Sequence, residues 1–79
     1  MNIELILILL DRFLKYSLKE QAYFTDILRK YDKTTDEYDE EMLHSLLEQI
    51  FLYHGYTAAQ SSDLAYRLLD KYTQLLYYH

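Results

Sequence analysis

Ile3-Glu4-Leu5-Ile6-Leu7-Ile8-Leu9-Leu10-Asp11-Arg12-Phe13-Leu14-Lys15-Tyr16 is the stretch on which the fold turns. On a helical wheel of about 100° per residue, Ile3, Leu5, Ile6, Leu7, Leu9, Leu10, Phe13, Leu14 and Tyr16 share one arc roughly 200° wide. Glu4, Asp11, Arg12 and Lys15 hold the other side, with Ile8 alone among them. A surface helix needs an apolar stripe of only about 100°. This one is expected to be central in the fold, or shared between the fold and a partner. Leu outnumbers Ile and no second strand-like run exists to pair with it, so the reading is helix rather than strand.

The end of that helix has two readings. Ser17-Leu18-Lys19-Glu20 matches the capping box and favours a new helix from Leu18. Two features point the other way. No Gly, Pro or Asn lies near Ser17, and Phe24, Ile27, Leu28 and Tyr31 stay inside the first arc when its phase is carried through. The expectation is one helix over about 3–31, or two if Ser17 breaks it. Unbroken, it would measure about 43 Å at 1.5 Å per residue and overhang neighbours of about 30 Å. An apolar arc that wide cannot stay bare in water. Ile3, Ile6, Leu7, Leu10, Phe13 and Leu14 are therefore expected to form the self-association surface of a homodimer.

Asp32-Lys33-Thr34 ends this segment, and Thr34-Thr35-Asp36-Glu37 is a second capping box. Asp36, Glu37, Asp39, Glu40 and Glu41 crowd the start of the next helix, where the macrodipole favours negative charge. Met42, Leu43, Leu46, Leu47, Ile50, Phe51, Tyr53 and His54 form its apolar side. Gly55 follows as a C′ residue would, which bounds a helix over 35–54. Thr57-Ala58-Ala59-Gln60 is a third box, with Ser61 or Ser62 as rival caps. Leu64, Ala65, Leu68, Leu69, Tyr72, Leu75 and Leu76 make the stripe of a last helix over 58–77. The fold expected is all-α: a small antiparallel bundle of three long helices, or four, in a single domain over 1–79.

Seventy-nine residues bury about 60–65% of their unfolded surface, so the stability margin is small. Cysteine is absent, which removes disulfides and thiolate chemistry together. With 51% apolar residues there is material for a core, and oligomerisation is the expected supplement. The apolar run is shorter than the roughly 20 residues a bilayer needs. It lacks the basic flank and cleavage site of a secretory signal, so a cytoplasmic protein is expected. Net charge is −5 and uneven. Residues 1–34 carry six basic and five acidic groups; residues 35–79 carry two basic and eight acidic groups. That balance lacks the basic footprint of nucleic-acid binding and suits a basic partner instead.

Chemistry-bearing patterns are few. Glu41-x-x-His44 has the spacing used by di-metal sites in helical bundles, but such a site needs two pairs and two more Glu. Glu41, His44 and Glu48 read as a solvated face. Asp32 to Leu43 has the length of a calcium loop, yet Glu37 stands at the turn glycine and Leu43 at the bidentate Glu. Ser17, Ser45, Ser61 and Ser62 read as cap or polar-face positions, with no nucleophile elbow or phosphate loop nearby. His54 suits a helix C-terminus, and His79 is terminal. A helix-turn-helix reading fails for want of cations, since the last helix offers Arg67 and Lys71 beside Asp63 and Asp70. No catalytic residue, metal ligand or cofactor is expected.

Ten tyrosines are the least ordinary feature. Tyr31, Tyr53 and Tyr72 suit a core. Tyr23, Tyr66 and Tyr77 fall on polar faces, as does Leu52. Tyr is enriched at protein interfaces, where it gives large contact area at low entropic cost; biased codon usage would scatter it without function. In size, charge and helix content alone, the chain resembles small acidic immunity proteins and inhibitors encoded by mobile elements. That likeness implies an inhibitor of a toxin or a nucleic-acid mimic, and transfers no residue. The expected function is a small acidic protein-binding module: a regulator, adaptor or inhibitor. Asp36, Glu37, Asp39, Glu40, Tyr66, Asp70 and Tyr77 are expected to meet a partner, a basic one.

Overall fold

The computed structural model describes residues 2–34 and 40–77, apart from the side chains of Lys33 and Thr34. Every regular element among them is an α-helix: α1 (Ile3–Phe13), α2 (Leu18–Thr34), α3 (Glu40–His54) and α4 (Ala58–Tyr77). The chain divides into two compact units, Met1–Asp39 with α1 and α2, and Glu40–His79 with α3 and α4. No helix among the described residues is long and apolar enough to cross a membrane.

In the first unit the Asn2 side chain accepts from the Leu5 N–H at 3.0 Å and caps α1. The helix ends at Leu14, whose backbone turns extended (φ −150°, ψ 147°) while its N–H still reaches the Leu10 carbonyl at 2.9 Å. Tyr16 then folds back, and its hydroxyl donates to the Leu7 carbonyl at 2.9 Å. In an unbroken helix these residues would lie about 13 Å apart along the axis. Beyond it the Ser17 box is made in both directions. The Glu20 N–H donates to Ser17 Oγ, and the Ser17 N–H donates to Glu20 Oε1, each at 3.2 Å.

The continuous helix over 3–31 is thus overturned, and the overhang goes with it. α1 has 11 residues, about 16 Å; α4, with 20 residues and about 30 Å, is the longest of the four. Periodicity reports which residues share a face. It does not test whether the backbone between two matching faces stays helical. Ile6, Leu9, Leu10, Leu14, Phe24, Leu28 and Tyr31 are buried, and Tyr16 meets Phe24 edge-on at 5.5 Å. Ile8, the stray on the wheel, is 54% exposed.

The second unit is a tighter hairpin. Gly55 sits at φ +122°, and its N–H donates to the Leu52 carbonyl at 3.1 Å. The Tyr56 N–H donates to the Phe51 carbonyl at 3.1 Å. These are the two bonds of a Schellman ending. Its apolar contact is Tyr56 edge-on to Phe51 at 5.9 Å. Thr57 and Gln60 then form the expected box, so α4 starts at Ala58 and not at Ser61 or Ser62. Numbers that rise along α3 meet numbers that fall toward it: Phe51 meets Tyr56, while His44 meets Ser62 and Tyr66. The two helices are antiparallel.

Leu43, Leu47, Ile50 and Phe51 pack from α3, and Ser61, Ala65, Leu68, Leu69 and Tyr72 from α4. Two expectations are corrected here. Met42 and Tyr53, placed on the apolar side of α3, are 46% and 56% exposed. Leu43, Leu47, Ile50 and Phe51 stand at i, i+4, i+7 and i+8, a stripe narrow enough to cover one neighbour. Ser61, read as a cap or polar-face residue, is fully buried, and its hydroxyl has no hydrogen-bond partner among the described residues. Thr34 is the last residue of α2, and the expected Thr34 box falls on its side chain and on Thr35, Asp36 and Glu37, which lie outside the described residues.

Candidate functional site

The residue that departs furthest from its sequence reading is His44. It was assigned to a solvated face and is instead buried, with 9% of its surface exposed. The Glu48 carboxylate one turn on approaches its Nδ1 at 2.8 Å. Across the hairpin its Nε2 faces the Ser62 carbonyl at 3.3 Å. Tyr66, one turn further along α4, lays its ring over the imidazole with centroids 3.8 Å apart and planes tilted by 35°.

The chemistry of this cluster follows from its partners. A carboxylate and a backbone carbonyl both accept hydrogen bonds. The imidazole thus has an acceptor opposite each of its ring nitrogens. Its geometry is that of a latch, pinning the first turns of α4 to α3. Glu48 was read as solvated beside it and is half-buried. The i,i+4 spacing of His44 and Glu48 was visible in the sequence; the carbonyl and the aromatic cover from α4 were not.

Next to the latch lies a recess of about 410 Å³ lined by Glu40, Glu41, His44, Ser45, Tyr66 and Leu69. Glu40 and Tyr66, two of the expected partner-binding residues, thus meet at one place. Tyr66 is 63% exposed. Asp70 follows one turn along α4, exposed, and accepts from Gln74 Nε2 at 3.2 Å. Tyr77 is 72% exposed on the same stripe, about 16 Å from Tyr66 at 1.5 Å per residue, and does not line the recess. Asp36, Glu37 and Asp39 lie outside the described residues, as does His79. His54 ends α3 with its ring stacked near Tyr56 at 5.9 Å.

The expected self-association surface is divided by the fold. Ile6, Leu10 and Leu14 are buried within the chain, at 0%, 0% and 4% exposure. Ile3, Leu7 and Phe13 keep part of their surface. Leu7 lies between two open recesses of about 590 and 480 Å³ in the first unit. Tyr16 lines the larger, and burial together with the nearby Asp11 carboxylate pushes its phenol above the ordinary tyrosine range.

Among the described residues no three His, Cys, Asp or Glu side chains converge as a metal site would require. Leu43, at the place of the bidentate calcium ligand, is fully buried in the α3–α4 core. Comparison of the chain with protein-family models, with curated proteins and with solved structures gives no match.

Proposed function

We propose that the protein is a small helical binding module, acting as a regulator, adaptor or inhibitor, whose α3–α4 face receives a basic protein. The observation that carries this reading is the meeting of Glu40, Glu41 and the exposed Tyr66 at one recess, with Asp70 one turn beyond. A rigid aromatic beside carboxylates gives contact area at low entropic cost, and the carboxylates steer encounter with a cationic surface. The inhibitor form of this reading makes the partner a nucleic-acid-binding protein or a toxin that loses activity when bound.

The test is capture of partner on the immobilised protein across a salt series, repeated with Glu40→Lys, Glu41→Lys and Asp70→Lys combined. Binding should weaken steeply with salt and vanish on charge reversal. Capture indifferent to both would sink the proposal.

Self-association is a second reading. Ile3, Leu7 and Phe13 are partly exposed, and Ile8 and Leu18 are 54% and 84% exposed in the same unit. Light scattering should then return twice the 9.7 kDa chain mass. Ile8→Asp should restore the single-chain mass with helicity intact. A monomer at high micromolar concentration removes this reading.

A further inference from the structure

We infer that the recess between Glu40, Glu41 and Tyr66 is a receptor for one arginine side chain of a protein partner. This rests on the docking of a basic protein at the α3–α4 face and goes further by naming the group that enters.

Among the described residues the lining holds two carboxylates and no Lys or Arg. His44 brings no free donor to it, since its nitrogens are directed at Glu48 and the Ser62 carbonyl. Arg67, on the neighbouring position of α4, is held by Asp63 at 3.0 Å. The end of α3 adds a partial positive charge of about one half, which two full carboxylates outweigh. The occupant is therefore a cation.

Shape selects among cations. The imidazole covers one face of the Tyr66 ring at 3.8 Å and fixes its plane, so the 63% exposure of Tyr66 belongs to its other face and edge. A flat guanidinium lies well on an aromatic face and engages carboxylates through a fork of N–H donors. Leu69 in the lining suits the apolar stem behind such a head group. An ammonium matches this wall less well, and a metal ion would leave it unused. The latch acquires a purpose here, because it holds the aromatic wall in place before binding.

The experiment is an NMR titration of the full chain with the amides of N-acetyl-arginine, N-acetyl-lysine and N-acetyl-citrulline. Arginine should shift the Tyr66 ring, the Leu69 methyls and the Glu41 amide saturably. Lysine should bind about threefold more weakly, and neutral citrulline should shift none of them. Tyr66→Leu, chosen to keep His44 covered, should weaken arginine about fivefold. Glu40→Gln with Glu41→Gln, at exposed positions, should do the same and serves if Tyr66→Leu loses helicity. Citrulline acting like arginine, shifts spread evenly over all acidic residues, or unchanged binding by both variants would each overturn the inference. Salt-sensitive capture of a partner that survives these variants would remove the arginine pocket and leave the docking reading standing. Arginine binding without charge-dependent capture would do the reverse.

Discussion

α1 leaves its helix through Leu14 in extended backbone, whereas α3 leaves through Gly55 at φ +122°. Both connections then enter the next helix through a reciprocal capping box, Ser17 with Glu20 and Thr57 with Gln60. The exits differ and so do the hairpins. α3 and α4 pack together far more extensively than α1 and α2 do. Yet α1 is the most apolar helix of the chain. How closely two helices pair is thus set by the geometry of the connection and by which faces meet, not by apolar content alone. The second hairpin also buries polar groups, His44 and Ser61, that the first does not match among its described residues.

Four measurements would break or sharpen that contrast. The largest effect should come from Leu47→Ala, at a fully buried position between α3 and α4, with a loss of about 2–5 kcal/mol in urea unfolding. Leu7→Ala, at a half-buried position in α1, should cost clearly less; equal losses would deny the difference between the hairpins. Gly55→Ala should cost about 1–2 kcal/mol, because an added Cβ meets nothing within 4 Å and only the backbone conformation resists it. A neutral result would mean that the turn can re-form at negative φ.

Smaller changes follow. Ser61→Ala should raise the thermal midpoint and stabilise by about 1 kcal/mol, since it removes a buried hydroxyl without a partner among the described residues. A loss instead would show that the hydroxyl is satisfied in solution. The smallest effect concerns Tyr16. Its folded-state proton is held more tightly than in the unfolded chain, through burial first and the Asp11 charge second. That stability is complete below the unfolded tyrosine range near pH 10 and is lost as pH rises through the higher folded value. Melts taken across that range should fall less steeply for Tyr16→Phe than for the parent chain, and coincident curves would remove the linkage.

Much of the fold was legible because its signals are local. Asn2, Ser17 and Thr57 each satisfy helix N–H groups from within three residues, and Gly55 supplies a backbone conformation other residues resist. Exposed Tyr23, Tyr66 and Tyr77, and buried Tyr31 and Tyr72, also followed from the wheel. The site was half legible. Glu40, Tyr66 and Asp70 were marked by charge and by tyrosine on a polar face. His44 was not, because its burial depends on a carbonyl and a ring from another helix, 18 and 22 residues away.

The sequence by itself determined the helical class, the helix ends at Asn2, Gly55 and Thr57, and the concentration of net negative charge in the second half. Those properties arise within a turn or two of backbone, where hydrogen-bond supply and side-chain spacing decide. Only the tertiary structure decided that the chain breaks before Ser17, that Met42 and Tyr53 face outward, and that His44 is locked beneath Tyr66. Each depends on which surface a helix meets, and helical periodicity states that a face exists without stating what will cover it.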